Sequence, residues 1–295
     1  MKEKLKHIYE HHYKALLIIP FLLIFLALLQ IGLQYYQTGD FVNRGITLKG
    51  GSTITITKTD SLNTLELEQF LQQQFTPADI QVRTLSSAGR VTAVAIDSDI
   101  QDQDTINLLV SLLQQKLSLS KTDYSVEIIS ESLGFSFFKQ TILALGVAFV
   151  LMGIVVFIYF RTLIPSLAVI LAAFSDIIVT LAIFNLTGIK LSTSGIAAFL
   201  MLIGYSVDTD ILQTSRLLKH REGSVMDRVY SAMKTGMTMI MTTIAAVLIA
   251  YFLVQSDTVK QIMLILLIGL MVDMIMTWIQ NTAILRWYLE KKSNS

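Results

Sequence analysis

The chain has 295 residues, of which 53% are hydrophobic and 15% are charged, and its formal net charge is +1. Soluble domains carry about 25% charged residues, so this composition excludes an ordinary water-soluble globule. The small net charge gives no reason to expect nucleic acid as a partner. The chain has no cysteine, which excludes disulfides, iron–sulfur clusters and zinc ribbons. The sequence predicts no metal and no cofactor, because the histidines lie in charged flanks at positions 7, 11, 12 and 220.

Six apolar stretches are long enough to cross a bilayer, which takes roughly 20 apolar residues. They cover residues 15–33, 141–160, 163–186, 194 to about 214, 236–254, and 259 to about 285. The first is too long for a signal peptide, and no A-x-A-like site follows it, so we expect a retained helix. The predicted division is a flank over 1–14, a membrane helix over 15–34, a separate domain over 35–139, five membrane helices over 140–285 and a tail over 286–295.

Basic residues predict the orientation of the six helices, because cytoplasmic loops of membrane proteins carry an excess of Lys and Arg. The short loops on the side away from the termini carry only Lys190 and Lys260. The opposite side carries many more: Lys2, Lys4, Lys6, Lys14, Arg161, Arg216, Lys219, Arg221, Arg228, Lys234, Arg286, Lys291 and Lys292. We therefore expect a multi-pass protein of the cell membrane with both termini in the cytoplasm and residues 35–139 outside.

The segment between the first two helices predicts a small α+β domain. STITITK within residues 45–58 alternates as a strand does. A helix is expected after Ser61 as N-cap, with Leu62, Leu65, Phe70 and Leu71 near helical spacing. Strands over 79–85 and 90–97, joined by a turn at residues 86–89, a helix over 105–117 and a strand over 124–130 complete the order βαββαβ. That order is the split, ferredoxin-like arrangement, and a generic α+β domain is the alternative. No histidine and no convergent acidic pair indicates catalysis here.

Three glycines stand where the chain leaves the first helix and enters this domain. Gly45, Gly50 and Gly51 permit backbone geometries that a β-branched residue resists. We expect Gly50-Gly51 to form a bend that lets the domain pack close to the membrane helices. An ordinary flexible joint is the alternative.

Four aspartates fall within the predicted membrane helices: Asp176, Asp208, Asp210 and Asp273. A carboxylate at the bilayer centre costs at least roughly 2.5–3.5 kcal/mol, so such residues are functional suspects. With a rise of about 1.5 Å per residue, aspartates of the third, fourth and sixth helices fall at similar depth. The alternative interpretation is structural, with polar side chains serving only to hold helices together.

Helical spacing groups the polar side chains of these helices. Asp208 and Asp210 point to different faces, whereas Ser206 shares a face with Asp210. Asp176 shares a face with Thr180. Stripes also run along the sixth helix at Asp273, Thr277, Gln280 and Asn281, and along the fifth at Thr235, Thr238 and Thr242. We expect these two stripes to be buried against each other, because lipid offers them no hydrogen-bond partner.

Two segments resemble the SecF family, in its archaeal form, of the Sec protein-export machinery. They are GITLKGGSTITI after the first helix and GYSVDTDILQTSRLLK along the fourth, and the resemblance spans most of the chain. It implies one half of a core of the resistance–nodulation–division type, with SecD supplying the other half. It also implies docking onto a SecYE-type channel, contact with the translocating polypeptide and membrane lipid, and proton movement linked to export.

The resemblance transfers to the ion-path residues position by position. The bacterial fourth-helix motif reads like GYSxNDT, so Asp208 falls on its Asn and Thr209 on its Asp, with Asp210 one place later. Lys234 falls on an Arg position at the start of the fifth helix. Asp176 matches an acidic position of the third helix, and Asp273 has no bacterial counterpart. The implied relay candidates are Asp176, Asp208, Asp210 and Lys234, with Ser206, Thr209 and Asp273 as secondary polar candidates.

Two other function classes compete with an ion-coupled export subunit. An intramembrane protease is disfavoured, because the sequence has no Gly-x-Gly-Asp, no H-E-x-x-H and no histidine within a membrane helix. The chain is therefore not expected to be an enzyme. A non-conducting scaffold that assembles or stabilises the translocon stays open, since the aspartates could serve only as contacts between helices.

Overall fold

The computed structural model describes residues 7, 9–10, 12–57, 63–87, 90–219 and 223–293. Within these residues, six helices are long and apolar enough to cross a membrane, which confirms the predicted number. They are the first to sixth membrane helices: Tyr13–Thr38, Glu131–Phe160, Leu163–Leu186, Thr193–Lys219, Val225–Leu253 and Asp257–Lys292. The first contains the segments Tyr13–Leu16 and Ile18–Thr38, and the sixth contains Asp257–Ile275, a π-helical turn Met276–Asn281 and Thr282–Ser293. The basic residues predicted at positions 2, 4, 6 and 221 lie outside the described residues, as do the histidines at 11 and 220.

Two membrane helices begin well before the apolar stretches that were predicted to start at residues 141 and 236. The second helix begins at Glu131, where the Ser130 hydroxyl accepts a hydrogen bond from the backbone amide of Leu133. The fifth begins at Val225, capped by a box in which Ser224 and Asp227 each bond the other's backbone amide. Caps determine where a helix begins, whereas hydropathy locates only the part that lies in lipid.

The α+β domain follows the predicted element order βαββαβ. Its elements are β1 (Gly51–Ile56), α1 (Thr64–Gln74), β2 (Ile80–Ser87), β3 (Arg90–Ser98), α2 (Gln103–Leu117) and β4 (Tyr124–Ile129). All neighbouring strands are antiparallel, in the sheet order β2-β3-β1-β4. Ile54 of β1 lies opposite Ile96 of β3, and Ile96 lies opposite Val82 of β2. These side chains form an apolar core with Leu109 and Leu113 of α2.

The start of α1 differs from the prediction. Ser61 and Leu62 lie outside the described residues, and the N-cap is Asn63, whose side chain accepts a hydrogen bond from the backbone amide of Glu66. Leu65, predicted to lie on the apolar face, is largely exposed, and Leu67 is buried in its place. The helix therefore starts later than predicted, and its buried face carries Leu67 and Leu71 rather than Leu65.

The turn between β2 and β3 is also shorter than predicted. Ser86 and Ser87 belong to β2 and pair with residues 91 and 90 of β3 after a register shift at residues 85 and 86. Ala88 and Gly89 lie outside the described residues. The strands continue past the register shift, so two of the four residues that were predicted to form the turn belong to the sheet.

The chain enters the domain through a tight backbone joint. Gly45 donates its backbone N–H to the carbonyl oxygen of Leu191 at 2.8 Å. Gly50 and Gly51 have φ angles of +94° and +145°. A Cβ at Gly50 would lie 2.7 Å from Cα of Glu131, the first residue of the second membrane helix. No side chain fits at Gly50, so the domain approaches the helix closely there.

Two further contacts fix the domain on the end of the bundle opposite the termini. Lys190 Nζ, between the third and fourth membrane helices, lies 2.6 Å from Asp79 Oδ1. Asp257, at the start of the sixth helix, accepts a hydrogen bond from the backbone N–H of Thr84 in β2 at 2.7 Å. The edge strand β2 therefore docks on the bundle, while β4 forms the opposite edge of the sheet.

Candidate functional site

A polar centre lies inside the bundle where the third, fourth and sixth membrane helices meet. Each helix contributes one fully buried carboxylate, namely Asp176, Asp210 and Asp273. The carboxyl group of Asp273 lies within hydrogen-bonding reach of Asp176, and Asp210 is close enough to both for their charges to interact. Carboxylates this close repel one another unless protons or cations are shared among them. The three helices therefore bring one carboxylate each into a single polar centre.

Hydrogen bonds from neighbouring helices orient two of the carboxylates. The Ser206 hydroxyl donates to Asp176 Oδ2 and so links the fourth helix to the third. The amide of Asn281 donates to Asp210 Oδ1 at 2.7 Å and links the sixth helix to the fourth. Ser206 thus contacts the carboxylate of another helix, although its spacing placed it on the face of Asp210. Hydrogen bonds to an ionised carboxylate are stronger than neutral ones, so these contacts fix the rotamers of both aspartates.

The sixth helix supplies the third carboxylate next to a break in its regular winding. Thr277 Oγ1 donates to Asp273 Oδ1 at 2.9 Å. The π-helical turn Met276–Asn281 starts shortly after Asp273 and includes Thr277. It holds both Gln280 and Asn281 fully buried. π turns inside α-helices are frequent at functional sites, because they re-aim side chains at the expense of regular hydrogen bonding. The turn therefore directs two amide side chains into one polar centre.

Amide and hydroxyl side chains extend the centre toward the end of the bundle that carries the termini. Gln280 Nε2 donates to Ser175 Oγ at 3.2 Å, and Asn281 Nδ2 also contacts Gln213 Oε1 at 3.3 Å. Gln213 in turn donates to the hydroxyl of Thr282. All five residues are buried. The result is a chain of side-chain contacts that leads from Asp210 to the last turns of the sixth helix.

Several members of this chain were missed by sequence reasoning, although some carried a signal. Gln213 and Thr214 follow Asp210 by three and four positions, which places them on its helical face. Ser175 and Thr282 carried no comparable signal, because a lone Ser or Thr in a membrane helix normally bonds its own backbone. The spacing rule, applied beyond the aspartates, would have found half of the missed group.

Unpaired acceptor oxygens distinguish the centre from an ordinary buried hydrogen-bond network. Five carboxylate or amide oxygens there are buried without a hydrogen-bond partner among the described residues: Asp176 Oδ1, Asp210 Oδ2, Asp273 Oδ2, Gln280 Oε1 and Asn281 Oδ1. A buried acceptor without a donor costs about 1–3 kcal/mol. Among the described residues, no group of three His, Cys, Asp or Glu side chains is arranged to hold a metal ion. These oxygens lack donors, and added protons would supply them.

Asp208 and Lys234 lie apart from this centre. Both are exposed in the chain, on the fourth and fifth helices respectively. Thr209 is buried, but its hydroxyl donates to the backbone carbonyl of Tyr205 at 3.2 Å and contacts no carboxylate. Of the two fourth-helix aspartates, the structure brings Asp210 and not Asp208 next to Asp176.

The polar stripe of the fifth helix is not buried against the sixth, so that expectation was wrong. Thr238 and Thr242 are exposed, and Thr235 is half-buried. The hydroxyl of Thr238 donates to the carbonyl oxygen of Lys234 at 2.7 Å, and that of Thr242 to the carbonyl oxygen of Thr238 at 2.9 Å. Threonine can satisfy its hydroxyl within its own helix, so the stripe needs no partner helix.

Comparison with known proteins identifies the family. Residues 110–291 match the family model described as protein export membrane protein SecD/SecF, C-terminal. The chain is 36% identical to the protein-export membrane protein SecF of Pyrococcus furiosus, over 99% of this chain and 96% of that protein. It is 38% identical to the SecF of Methanothermobacter thermautotrophicus, over 95% of this chain and 94% of that protein.

The fold also matches a solved structure at low sequence identity. The crystal structure of SecDF, a translocon-associated membrane protein from Thermus thermophilus, superposes with a TM-score of 0.71 at 18% identity. The match covers 95% of this chain and 38% of the SecDF chain, so this chain spans well under half of that protein. With near-full-length relatives above 30% identity, the chain belongs to the SecF branch of the SecD/SecF family of protein-export membrane proteins.

Proposed function

We propose that the chain is an auxiliary, non-enzymatic subunit of the Sec export machinery, which promotes protein translocation together with SecD and links it to proton movement through the membrane core. Family membership supports the export role, and the buried polar centre supports the link to protons. The chain performs no covalent chemistry in this account. Its relay residues are Asp176 and Asp210 in the centre, with Asp208 and Lys234 on exposed faces toward the partner.

The excess of buried acceptor oxygens is the observation that carries the proton proposal. Three carboxylates share one apolar bundle, and each keeps one oxygen without a donor. Asparagine at the same positions would supply donors as well as acceptors and carry no charge, so it would suit purely structural contacts better. A proton bound to one carboxyl supplies the missing donor to its neighbour. The centre is therefore suited to take up and release protons.

The orientation and the domain division follow the distribution of charge. The proposed arrangement has both termini in the cytoplasm and residues 35–139 outside as a ferredoxin-like domain, followed by helices over 140–285 and a tail. The antiparallel sheet order β2-β3-β1-β4 with two helices supports the ferredoxin-like assignment. The basic excess near the termini supports the orientation. In this position the domain can contact the translocating polypeptide or another subunit on the outer surface.

A SecD partner accounts for the unevenly covered bundle. The third, fourth and sixth helices are largely buried, whereas the first, second and fifth are mostly exposed. Lipid can cover apolar faces, but Asp208 and Lys234 on exposed faces need a polar partner. We therefore propose a heterocomplex with SecD that docks onto a SecYE-type channel. Co-purification in mild detergent tests it, and a stable chain that supports export in membranes lacking SecD would contradict it.

A non-conducting scaffold is the second candidate, and one observation favours it. The hydrogen bonds from Ser206 to Asp176 and from Asn281 to Asp210 each join two different helices. Such contacts stabilise a bundle without any ion movement. Under this alternative, removing the titratable groups while keeping their shape leaves export unchanged.

Asparagine substitutions separate the two candidates. Asp176→Asn and Asp210→Asn keep the size and hydrogen-bonding capacity of the side chain but remove its titration. Proton-driven stimulation of export in inverted membrane vesicles is expected to fall at least tenfold in both variants, while SecD still co-purifies. Asp104→Asn, an exposed position at the start of α2, is the matched control and should behave as wild type. If both buried variants keep the wild-type stimulation of export, the non-conducting scaffold is the candidate that remains.

A further inference from the structure

Tyr9 and Glu10, just before the first membrane helix, and Tyr13, its first residue, pack against the end of the sixth. Arg286 donates from Nη1 to the carbonyl oxygen of Tyr9 and from Nη2 to that of Glu10, each at 2.8 Å. Its guanidinium carbon lies 4.2 Å from the ring centre of Tyr13, whose hydroxyl donates to Glu290. We call Tyr9, Glu10 and Tyr13 the terminal strap. Its contacts join the first described residues of the chain to the last helix.

Arg286 holds the strap through two backbone carbonyls as well as through the ring of Tyr13. The guanidinium is a rigid planar fork that donates along two parallel directions, and here both reach successive main-chain carbonyls. Arg286 is only 6% exposed. A buried cation is stabilised when its hydrogen bonds are satisfied, so the strap and Arg286 depend on each other. Release of the strap would leave the cation without these acceptors.

Tyr9 extends from the strap to the π turn of the sixth helix. Its hydroxyl donates to the carbonyl oxygen of Trp278 at 2.8 Å and lies within hydrogen-bonding reach of Thr282. Burial raises the pKa of Tyr9 above its ordinary value near 10, so the hydroxyl keeps its proton and stays a donor at neutral pH. Trp278 lies in the middle of the turn Met276–Asn281. Tyr9 thus satisfies a carbonyl of the irregular turn from outside the helix.

The same turn positions the amide that binds a carboxylate of the polar centre. Asn281 ends the turn and donates to Asp210, and it also contacts Gln213, which donates to Thr282 next to Tyr9. Polar contacts therefore run without interruption from the buried carboxylate to the strap. Conversion of the turn to a regular α-helix would shift the register of every side chain after it, and the contact of Asn281 with Asp210 would be lost.

We infer that the terminal strap is a gate at the termini end of the polar centre, with Tyr9 and Arg286 as positioning residues. When the strap is closed, Tyr9 and Arg286 hold the π turn and cover the last polar side chains of the path. When it opens, the turn relaxes and the buried path gains access to water at that end. The use of this gate in ion movement rests on the function proposed above, but its closure can be tested separately.

A single cysteine behind the strap reports whether the gate is closed. Ala283 is 2% exposed and lies among Tyr9, Tyr13, Thr282 and Arg286. The chain has no natural cysteine, so Ala283→Cys gives one thiol without background. Its rate of modification by a membrane-impermeant maleimide, added from the termini side of vesicles that hold the SecD complex, measures strap opening. Slow labelling is expected when the strap is intact.

Two variants should open the gate by different amounts. Tyr9→Phe keeps the ring but removes the hydrogen bond to Trp278, and loss of one net hydrogen bond changes an opening equilibrium roughly fivefold. Arg286→Lys loses the fork to two carbonyls and should raise the labelling rate roughly tenfold or more, since hydrogen bonds to charged groups are stronger. Tyr36→Phe and Arg216→Lys are the controls, because Tyr36 lies at the far end of the first helix and Arg216 donates to Ser231 of the fifth helix.

The readouts distinguish the gate from the proposed function. Faster labelling in Tyr9→Phe, with an unchanged unfolding temperature and unchanged controls, supports the gate whether or not protons move. Proton flux in wild type without any change in labelling for Tyr9→Phe and Arg286→Lys overturns the gate and leaves the proposed function intact. If flux exists, the open variants should also admit protons faster from the termini side. Labelling rates within twofold of wild type in both variants contradict the inference.

Discussion

The α+β domain and the membrane bundle differ in the polar groups that they bury. The domain buries apolar side chains such as Ile54, Ile96 and Leu113 between its sheet and its helices. The bundle buries carboxylates and amides at its centre and exposes large apolar side chains such as Phe25 and Phe252 outward. Water drives burial of the domain core, but lipid gives no such drive between membrane helices. The buried carboxylates of the bundle therefore cost free energy unless they are paired or protonated.

Close packing at small residues holds the bundle together in the absence of that drive. A Cβ at Gly236 would meet the ring of Trp278, and one at Gly269 would meet the side chain of Leu202. Glycines at such positions let membrane helices approach closely and gain dispersion contacts. The helices are thus positioned by packing, and the polar side chains are not needed as the main source of cohesion.

The largest expected effect comes from placing a charge in the apolar interior of the domain. Ile96→Asp puts an unpaired carboxylate where Ile96 is 1% exposed, and it should lower the free energy of unfolding of the domain by about 4 kcal/mol or more. Pulse proteolysis of the full chain in detergent measures the loss. Val91→Asp, on the same strand at an exposed position, is the control and should stay within about 0.5 kcal/mol. Equal effects at both sites would contradict an apolar core.

An intermediate effect is expected at the joint between the two regions. Gly50→Ala adds a Cβ next to the backbone of Glu131 at a φ of +94°, which should cost about 1–3 kcal/mol and impair export while the chain still inserts. Gly39→Ala is the matched control, since its φ of +76° is also left-handed but nothing lies within 4 Å. If both alanines impair export equally, backbone strain alone explains the result and the close approach does not matter.

The smallest effect is expected in the bundle, where one substitution should leave stability unchanged or raise it instead of lowering it. Thr180 is fully buried, and its hydroxyl has no hydrogen-bond partner within the part of the chain that the structure describes. Thr180→Val replaces that hydroxyl by a methyl group of similar shape, so it should be neutral or stabilise the bundle by up to about 1 kcal/mol. Ser175→Ala removes the acceptor of Gln280 and should destabilise it by about 1 kcal/mol. Thermal unfolding in detergent compares the two, and a clear loss for Thr180→Val would reveal a bound partner for its hydroxyl.

Much of the fold was predictable because its signals are local. Period-two alternation located β1 to β4 within a few residues, and apolar length gave the number of membrane helices. Burial of a carboxylate is costly, so all four aspartates of the membrane helices were identifiable as suspects from their apolar neighbours, but those neighbours did not separate the exposed Asp208 from the buried Asp210. The caps at Asn63 and Ser224 were missed, because polar cap residues are common and hydropathy does not mark them.

What could not be predicted depends on contacts between distant parts of the chain. The π turn at Met276–Asn281 has no sequence signal, yet it decides which amides face Asp210. The fifth-helix threonines were assigned a partner helix because their own backbone had not been considered as acceptor. The strap contacts of Arg286 with Tyr9 join residues 277 positions apart. No periodicity within one helix carries such information.

Proton flux through the purified complex tests the central claim most directly. The chain and its SecD partner are reconstituted in proteoliposomes that contain a pH-sensitive dye, and a proton gradient is applied in the presence of the translocation channel and an export substrate. The account predicts acidification that depends on Asp210 and is lost in Asp210→Asn, with Asp104→Asn equal to wild type. Equal flux in wild type, Asp210→Asn and protein-free liposomes would contradict it and leave the buried carboxylates as contacts between helices.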